Sequence, residues 1–272
     1  MSLYRISSNL IALQSLNFLN QTNQLVGEEL LTLSSGRRIN TISDDPAGYS
    51  LATTLEIRRT GLEQALDNVA TAQNVMSIAE SGYMAIGDLL AEIKQKAIQG
   101  ADDSYSSTER AALQDQIDAL VAEIDDIVEE TTFNDTPLID GSFASKVFQT
   151  GASAGDTFSI SLLSADSAAL SVTTLEVSDA DVASAAIATV DTAITTLNTR
   201  AQDAGEYITR LEAKGDVLIA QSTNVEAARS RIQDADLAQT QMRLIQAQII
   251  QQTGIAAYAQ ANVAPQLILS LF

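Results

Sequence analysis

The chain has no cysteine, no histidine and no tryptophan. Without Cys and His there is no thiol nucleophile, no imidazole acid–base chemistry and no ordinary zinc or haem site. Ser–Lys chemistry and carboxylate-held divalent cations remain, but no spacing advertises either. Asp102-Asp103, Asp125-Asp126, Glu129-Glu130 and Asp234 with Asp236 lack the spaced Asp, central Gly and terminal Glu of a calcium loop. They read as solvated helix surface, so a non-enzyme with no cofactor and no metal is expected. Disulfides are impossible. Only Pro46, Pro137 and Pro265 interrupt 272 residues, which favours long helices. Aromatic residues make up 4%, too few for a thick globular core. No run of about 18 apolar residues offers a membrane-spanning helix. The N-terminal stretch lacks the compact apolar core and small-residue cleavage site of a secretory signal.

What is present is unevenly placed. Ile6 to Gly27 and Leu244 to Phe272 contain no Asp, Glu, Lys or Arg. Both mix Leu, Ile and Val with Gln, Asn, Ser and Ala, a pattern too apolar to stay solvated alone and too polar for lipid. Residues 61–212 hold six basic groups against 26 acidic ones, the whole of the net charge of −20. A polyanionic middle repels nucleic acid and anionic membranes, so neither is an expected partner. The ends are expected to seek protein surface.

Periodicity predicts a mainly α fold. Ile6, Leu10, Leu13, Leu16, Leu19, Val26, Leu30 and Leu33 recur at three- and four-residue steps, and Gly36 is placed as a C-cap. Asp45 and Pro46 read as the N-cap and first residue of a helix running to Gly100. Its Gly61, Gly82 and Gly87 serve either close helix approach or simple tolerance. Ser106 and Glu109 form a capping box ahead of Leu113, Ile117, Leu120, Ile124 and Ile127, and the short link from Gly100 predicts an antiparallel helical hairpin. Asn134-Asp135, Asp140-Gly141 and Gly155-Asp156 are turn signals, and alternation through Phe158, Ile160 and Leu162 predicts one or two β-hairpins. From a cap at Ser178 or Asp179, a stripe runs through Ile187, Val190, Ile194, Leu197, Ala201, Ala204, Ile208, Leu211, Gly215 and Leu218. The last stripe is Met242, Ile245, Ile249, Ala256, Ala259 and Val263, with Pro265 expected to kink or end the helix. The expected architecture is a coiled-coil-like rod of long antiparallel helices with a small β-hairpin element in the middle.

Several of these residues carry a family resemblance. Leu33-Ser34-Ser35-Gly36, Arg38-Ile39-Asn40, Asp44-Asp45, Ala47-Gly48 and then Gly61-Leu62, Ala65 and Asn68 resemble the N-terminal signature of bacterial flagellins. Phe133-Asn134 with Leu138 and Gly141 looks like the flagellin entry into its β region. Ala228 to Asp236, Gln246 to Gly254, Ala259 to Asn262 and Pro265-Gln266 are similar to the C-terminal signature.

The resemblance implies a short flagellin without large variable outer domains, polymerising into a helical filament outside the cell and serving motility. It implies an inner (axial) domain from residues 1–43 and 239–272, rod helices over 44–132, a β-hairpin part over 133–178 and a long rod helix over 179–238. The subunit-packing residues expected are Ile6, Leu10, Leu13, Leu16, Leu19, Val26, Leu30, Leu33, Met242, Ile245, Ile249 and Val263. The implied partners are further copies of the chain, an export chaperone, the export apparatus, and the cap and hook–filament junction proteins. Export without a cleaved signal is implied too. At the family's innate-immune recognition segment, alignment through Ala97-Ile98-Gln99 puts Glu92 and Lys96 where relatives carry Arg and Leu. A hook–filament junction protein is the alternative reading, and a secreted helical host-binding protein a further one.

Overall fold

A computed structural model describes residues 9–269, so Ile6 lies outside the described residues. Five helices and two small strand pairs follow in order: α1 (Leu10–Ser35), α2 (Pro46–Gly100), α3 (Ser107–Glu130), β1 (Thr132–Phe133), β2 (Thr136–Pro137), β3 (Lys146–Gln149), β4 (Thr157–Ile160), α4 (Ala180–Gln233) and α5 (Leu237–Leu269). They form two compact units. One is the central stretch Arg59–Thr223; the other joins the residues up to Arg58 with those from Asn224 onward.

Helix starts follow the expected capping chemistry. The Asp45 carboxylate accepts the Gly48 N–H at 2.9 Å, and Asp179 rather than Ser178 caps α4 by accepting the Val182 N–H at 2.9 Å. The Ser106 N–H donates to the Glu109 carboxylate at 2.8 Å, completing the capping box of α3. That backbone bond, with a second from the Ser106 hydroxyl, holds the Glu109 carboxyl below its ordinary value. Gly36 takes the left-handed conformation (φ 71°) that ends α1, a backbone angle that costs glycine nothing.

The central unit is a helical coil built on a three–four repeat. On α2 that repeat runs through Leu62, Ala65, Val69, Ala72, Met76, Ala79, Tyr83, Ile86, Leu90, Ile93 and Ala97, with Val75 buried beside it. A side chain added at Gly215 of α4 would meet Leu66 and Val69, one at Gly87 would meet Leu197, and one at Gly100 would meet Ala183. Those pairs make α2 and α4 antiparallel. The α4 seam also differs from the expected stripe. Ala183, Ala186, Val190, Ala193, Leu197, Ala204, Leu211 and Leu218 are buried, whereas Ile187, Ile194, Ala201 and Ile208 are only half-buried at its flanks. Ala186 and Ala193 thus take the seam beside Val190 and Leu197, in place of Ile187 and Ile194. Leu113, Ile117, Ile124 and Val128 bring the buried face of α3 to this core.

Gly61, Gly82 and Gly87 of α2 have different roles. A Cβ at Gly82 would lie 2.8 Å from Thr131 Oγ1 and 2.9 Å from Ile139 Cδ1, so this glycine is required for close packing. At Gly61 the nearest neighbour is Ala152 Cβ at 3.2 Å, a tight fit, whereas Gly87 has 3.6 Å and is simply tolerated.

The β region is two antiparallel pairs. Asn134 and Asp135 both have positive φ (51° and 59°), the geometry of a two-residue type I′ turn between β1 and β2. In β4, Phe158 and Ile160 are buried and Thr157 and Ser159 exposed, as the alternation predicts. Phe158 meets Tyr207 edge-on at 6.0 Å, under the Arg210 guanidinium at 4.8 Å. No strand follows between Ser161 and Asp179. Side chains from the helices hold that segment instead. Tyr83 Oη donates to the Leu163 carbonyl at 2.8 Å, and Asp125 accepts both the N–H and the hydroxyl of Ser167. Gln114 donates to the Leu175 carbonyl and accepts the Val177 N–H, and Arg200 donates to the carbonyls of Ser164 and Ala169. Burial pushes the Tyr83 phenol up to about 12, so it stays a donor.

Pro265 does not end the last helix, which continues to Leu269. Proline deprives only one carbonyl of its helical donor, that of Ala261 four residues earlier. The Asn9 side chain supplies a donor there at 2.9 Å.

Candidate assembly surface

The unit containing both chain ends is built on α1 and α5. They pair antiparallel: the Ala235 N–H donates to the Gly36 carbonyl at 2.9 Å, Gln251 donates to Asn23 at 2.6 Å and Asn9 to Ala261 at 2.9 Å. The signature residues make the turns beside this pair. Arg37 bridges Asp234, the Arg38 N–H donates to the Gln233 carbonyl at 2.7 Å, and the Arg38 guanidinium reaches the Ile232 carbonyl at 2.6 Å. Ile39 is fully buried. Asp44 accepts the N–H groups of Asn40 and Thr41, both at 2.8 Å, and those bonds lower its pKa. Arg229 binds Glu226 and Glu56, and the Glu226 hydrogen bond raises its already high pKa. Asp236 caps α5 through the N–H groups of Ala238 and Gln239. Asp44 and Asp236 thus hold turn and cap geometry, and Arg229 ties α4 to α2.

The faces of α1 and α5 are sorted in an unusual way. Ala12, Ser15, Leu19, Thr22 and Val26 of α1 are buried or half-buried at three–four spacing, and so are Thr240, Leu244, Ala247, Gln251 and Gly254 of α5. The seam between the helices is therefore made of small and polar residues with few large ones. Leu19 of α1 lies against Gly254 of α5: a Cβ there would stand 3.6 Å from Leu19 Cδ1, in ordinary contact. The large apolar side chains point away. Leu10 is 69% exposed, Leu13 58%, Met242 65% and Ile249 59%, with Leu16, Leu30, Ile245 and Val263 also exposed. A groove of about 450 Å³ opens along the pair, lined by Ile11, Phe18, Leu19, Ile250, Gly254 and others.

The predicted packing residues thus divide. Leu19, Val26 and Leu33 are half-buried within the chain; Leu10, Leu13, Leu16, Leu30, Met242, Ile245, Ile249 and Val263 stay outside. Sequence reading missed Phe18, Leu25, Leu31, Ile250 and Ile255, which widen the exposed apolar surface. It also missed the modest seam of Ala12, Thr22, Thr240 and Ala247. The signal for both was a second three–four repeat beside the greasier one. Exposed apolar side chains in this number on two paired helices exceed the scattered single ones usual on a folded surface.

The family model for the bacterial flagellin N-terminal helical region matches residues 6–144, and that for the C-terminal helical region matches residues 187–272. The chain belongs to the bacterial flagellin family. This flagellin is 31% identical to flagellin FlaB1 of Treponema pallidum (strain Nichols), and 32% identical to the flagellar filament 33 kDa core protein of Treponema phagedenis. Each alignment covers 98% of this chain and 99% of the relative. Among solved structures, Bacillus cereus flagellin is similar with a TM-score of 0.51 at 25% identity, over 60% of this chain and 94% of that one. A protein from Vibrio parahaemolyticus assigned as a flagellar hook-associated protein shares the fold, with a TM-score of 0.59 at 14% identity over 70% of this chain and all of that one.

Proposed function

We infer that this flagellin is the structural subunit of an extracellular bacterial flagellar filament used for swimming. The observation that carries this reading is the outward-facing apolar side chains of the paired terminal helices. A folded chain would place its largest apolar groups inside unless another surface were to cover them. Further copies of the same chain supply that surface. Residues 1–43 and 239–272 form the inner layer of the filament, 44–132 and 179–238 the rod around it, and 133–178 its β part. Leu10, Leu13, Leu16, Leu30, Met242, Ile245, Ile249 and Val263 pack between subunits there. The net negative charge of the middle, 26 acidic groups against six basic ones, keeps the polymer dispersed.

Seeding tests this reading. Purified chain added to short filament fragments elongates them into long tubes of regular diameter in negative stain. A stable monomer that never elongates seeds refutes it. A hook–filament junction protein shares the helical fold, and the shared fold with a hook-associated protein keeps that reading open. The full-length identity to filament proteins favours the filament. Copy number along sheared filaments separates the two.

Export and handling follow from the same reading. The chain leaves through a flagellum-specific export channel. An export chaperone covers the C-terminal apolar face beforehand, and cap and junction proteins bound the growing polymer.

The immune-recognition segment departs from the family pattern. Glu92 is exposed on α2 and Lys96 half-buried. Acid in place of a base, and a charged head in place of a leucine, remove one favourable charge and one apolar contact from that face. Reporter cells carrying the flagellin receptor are expected to respond weakly to this chain. Potent activation contradicts the assignment.

A further inference from the structure

Pro265 sits inside α5 with four helical residues after it. A proline nitrogen carries no hydrogen, and its ring crowds the carbonyl four residues earlier. That carbonyl belongs to Ala261, which would otherwise lack its helical partner. The structure gives it another: Asn9 Nδ2, at 2.9 Å, from the opposite end of the chain.

Asn9 is engaged on both sides of its amide. Its Oδ1 accepts the Ala12 N–H at 3.1 Å, which makes it the N-cap of α1. Its backbone carbonyl accepts the Leu13 N–H at 3.1 Å. Ser, Thr and Asp cap helices about as well as Asn. Among these only Asn pairs an acceptor oxygen with an NH₂ donor held rigidly at the other edge of the same plane. The residue type therefore fits two tasks at once, starting α1 and completing α5.

We infer that Asn9 is a positioning residue that makes the continuation of α5 past Ala261 conditional on a folded α1. The two helices are held in antiparallel register at three points: Gly36 with Ala235, Asn23 with Gln251, and Asn9 with Ala261. The third is the one nearest both chain ends. It also lies where α5 is weakest by its own backbone chemistry. Pro265 removes the local bond that would let the last turn of α5 stand alone, and Asn9 restores it only when the α1–α5 pair has formed. The terminal turn is thereby coupled to correct pairing and not to helix propensity. This inference goes beyond the filament reading and does not depend on it.

Residue-resolved hydrogen exchange on the full chain, free and as sedimented polymer, tests it. Asn9→Asp keeps an acceptor for the Ala12 N–H but has no donor for Ala261. It is expected to speed exchange of the amides over 262–269 about tenfold, the equilibrium weight of one net hydrogen bond, while the Ala12 amide keeps its protection. Pro265→Ala gives Ala261 a helical N–H partner. In that background, Asn9→Asp is expected to change exchange over 262–269 by less than about twofold. Equal acceleration in both backgrounds overturns the inference, as does no acceleration in either. Unprotected exchange over 262–269 in the unaltered chain, both free and polymerised, overturns it as well. Seeded elongation of the unaltered chain, measured in parallel, reads the filament assignment separately.

Discussion

Leu13→Asp and Ile249→Asp are each expected to abolish filament formation while leaving the chain folded. Both side chains are more than half exposed in the single chain, at 58% and 59%. Neither takes part in the seam of Ala12, Leu19, Thr22, Leu244 and Ala247 that joins α1 to α5. A carboxylate at either place therefore stays in water while the chain is alone, and circular dichroism and thermal melting should change little. Surface substitutions of this kind usually stay within about 0.5 kcal/mol. On the proposed packing, a filament would press the same carboxylate between subunits. Burying an unpaired charge costs several kcal/mol, and about 4 kcal/mol already raises the concentration needed for elongation by about a thousandfold. Seeded elongation followed by light scattering and microscopy reads this directly. Normal filaments from either variant contradict the assembly surface. Loss of helicity shows instead that the side chain serves the fold.

Ile117→Ala is expected to have the opposite signature. Ile117 is fully buried on α3, in the repeat Leu113, Ile117, Ile124 and Val128. Removing its branched chain forfeits apolar burial and leaves a cavity, at a cost of about 2–5 kcal/mol. For a unit of this size that corresponds to a fall in melting temperature on the order of 10 °C. Ile98→Ala is the matched control, because Ile98 is 52% exposed on α2 and its truncation should cost under about 0.5 kcal/mol. Equal melting of the two variants contradicts the placement of the core. The Leu13 and Ile117 experiments separate the two requirements on this chain: folding of the central coil and assembly through the ends.

Local signals were strong enough to be read from the residues themselves. Asp45 before Pro46, Ser106 with Glu109, Gly36 after Ser35 and Asn134-Asp135 each impose a backbone geometry over two to four residues. The structure places a cap or turn at every one of them. Alternation through Phe158 and Ile160 worked for the same reason, since a period of two leaves no choice of face.

Choosing between two helical faces was harder. In α4, Ile187 and Ile194 look like better core residues than Ala186 and Ala193, yet the alanines hold the seam. In α1, Leu10 and Leu13 look like core, yet Ala12 and Thr22 are buried in their place. Hydrophobicity ranks side chains by their cost in water. It does not say which of two surfaces will cover them. A stripe destined for the chain's own partner helix and one destined for another molecule carry the same pattern.

Composition, charge and terminal signatures alone determined that this chain is helical, that its ends are uncharged while its middle carries the net charge, and that it resembles flagellins, because each is local or additive along the chain. Only the tertiary structure decided that Gly82 is required and Gly87 merely tolerated, and that α5 passes through Pro265 with Asn9 as substitute donor. It alone turned the largest apolar groups of α1 and α5 outward. Those outcomes depend on atoms brought within a few ångströms from residues far apart in the sequence. Such distances exist only once the helices have packed.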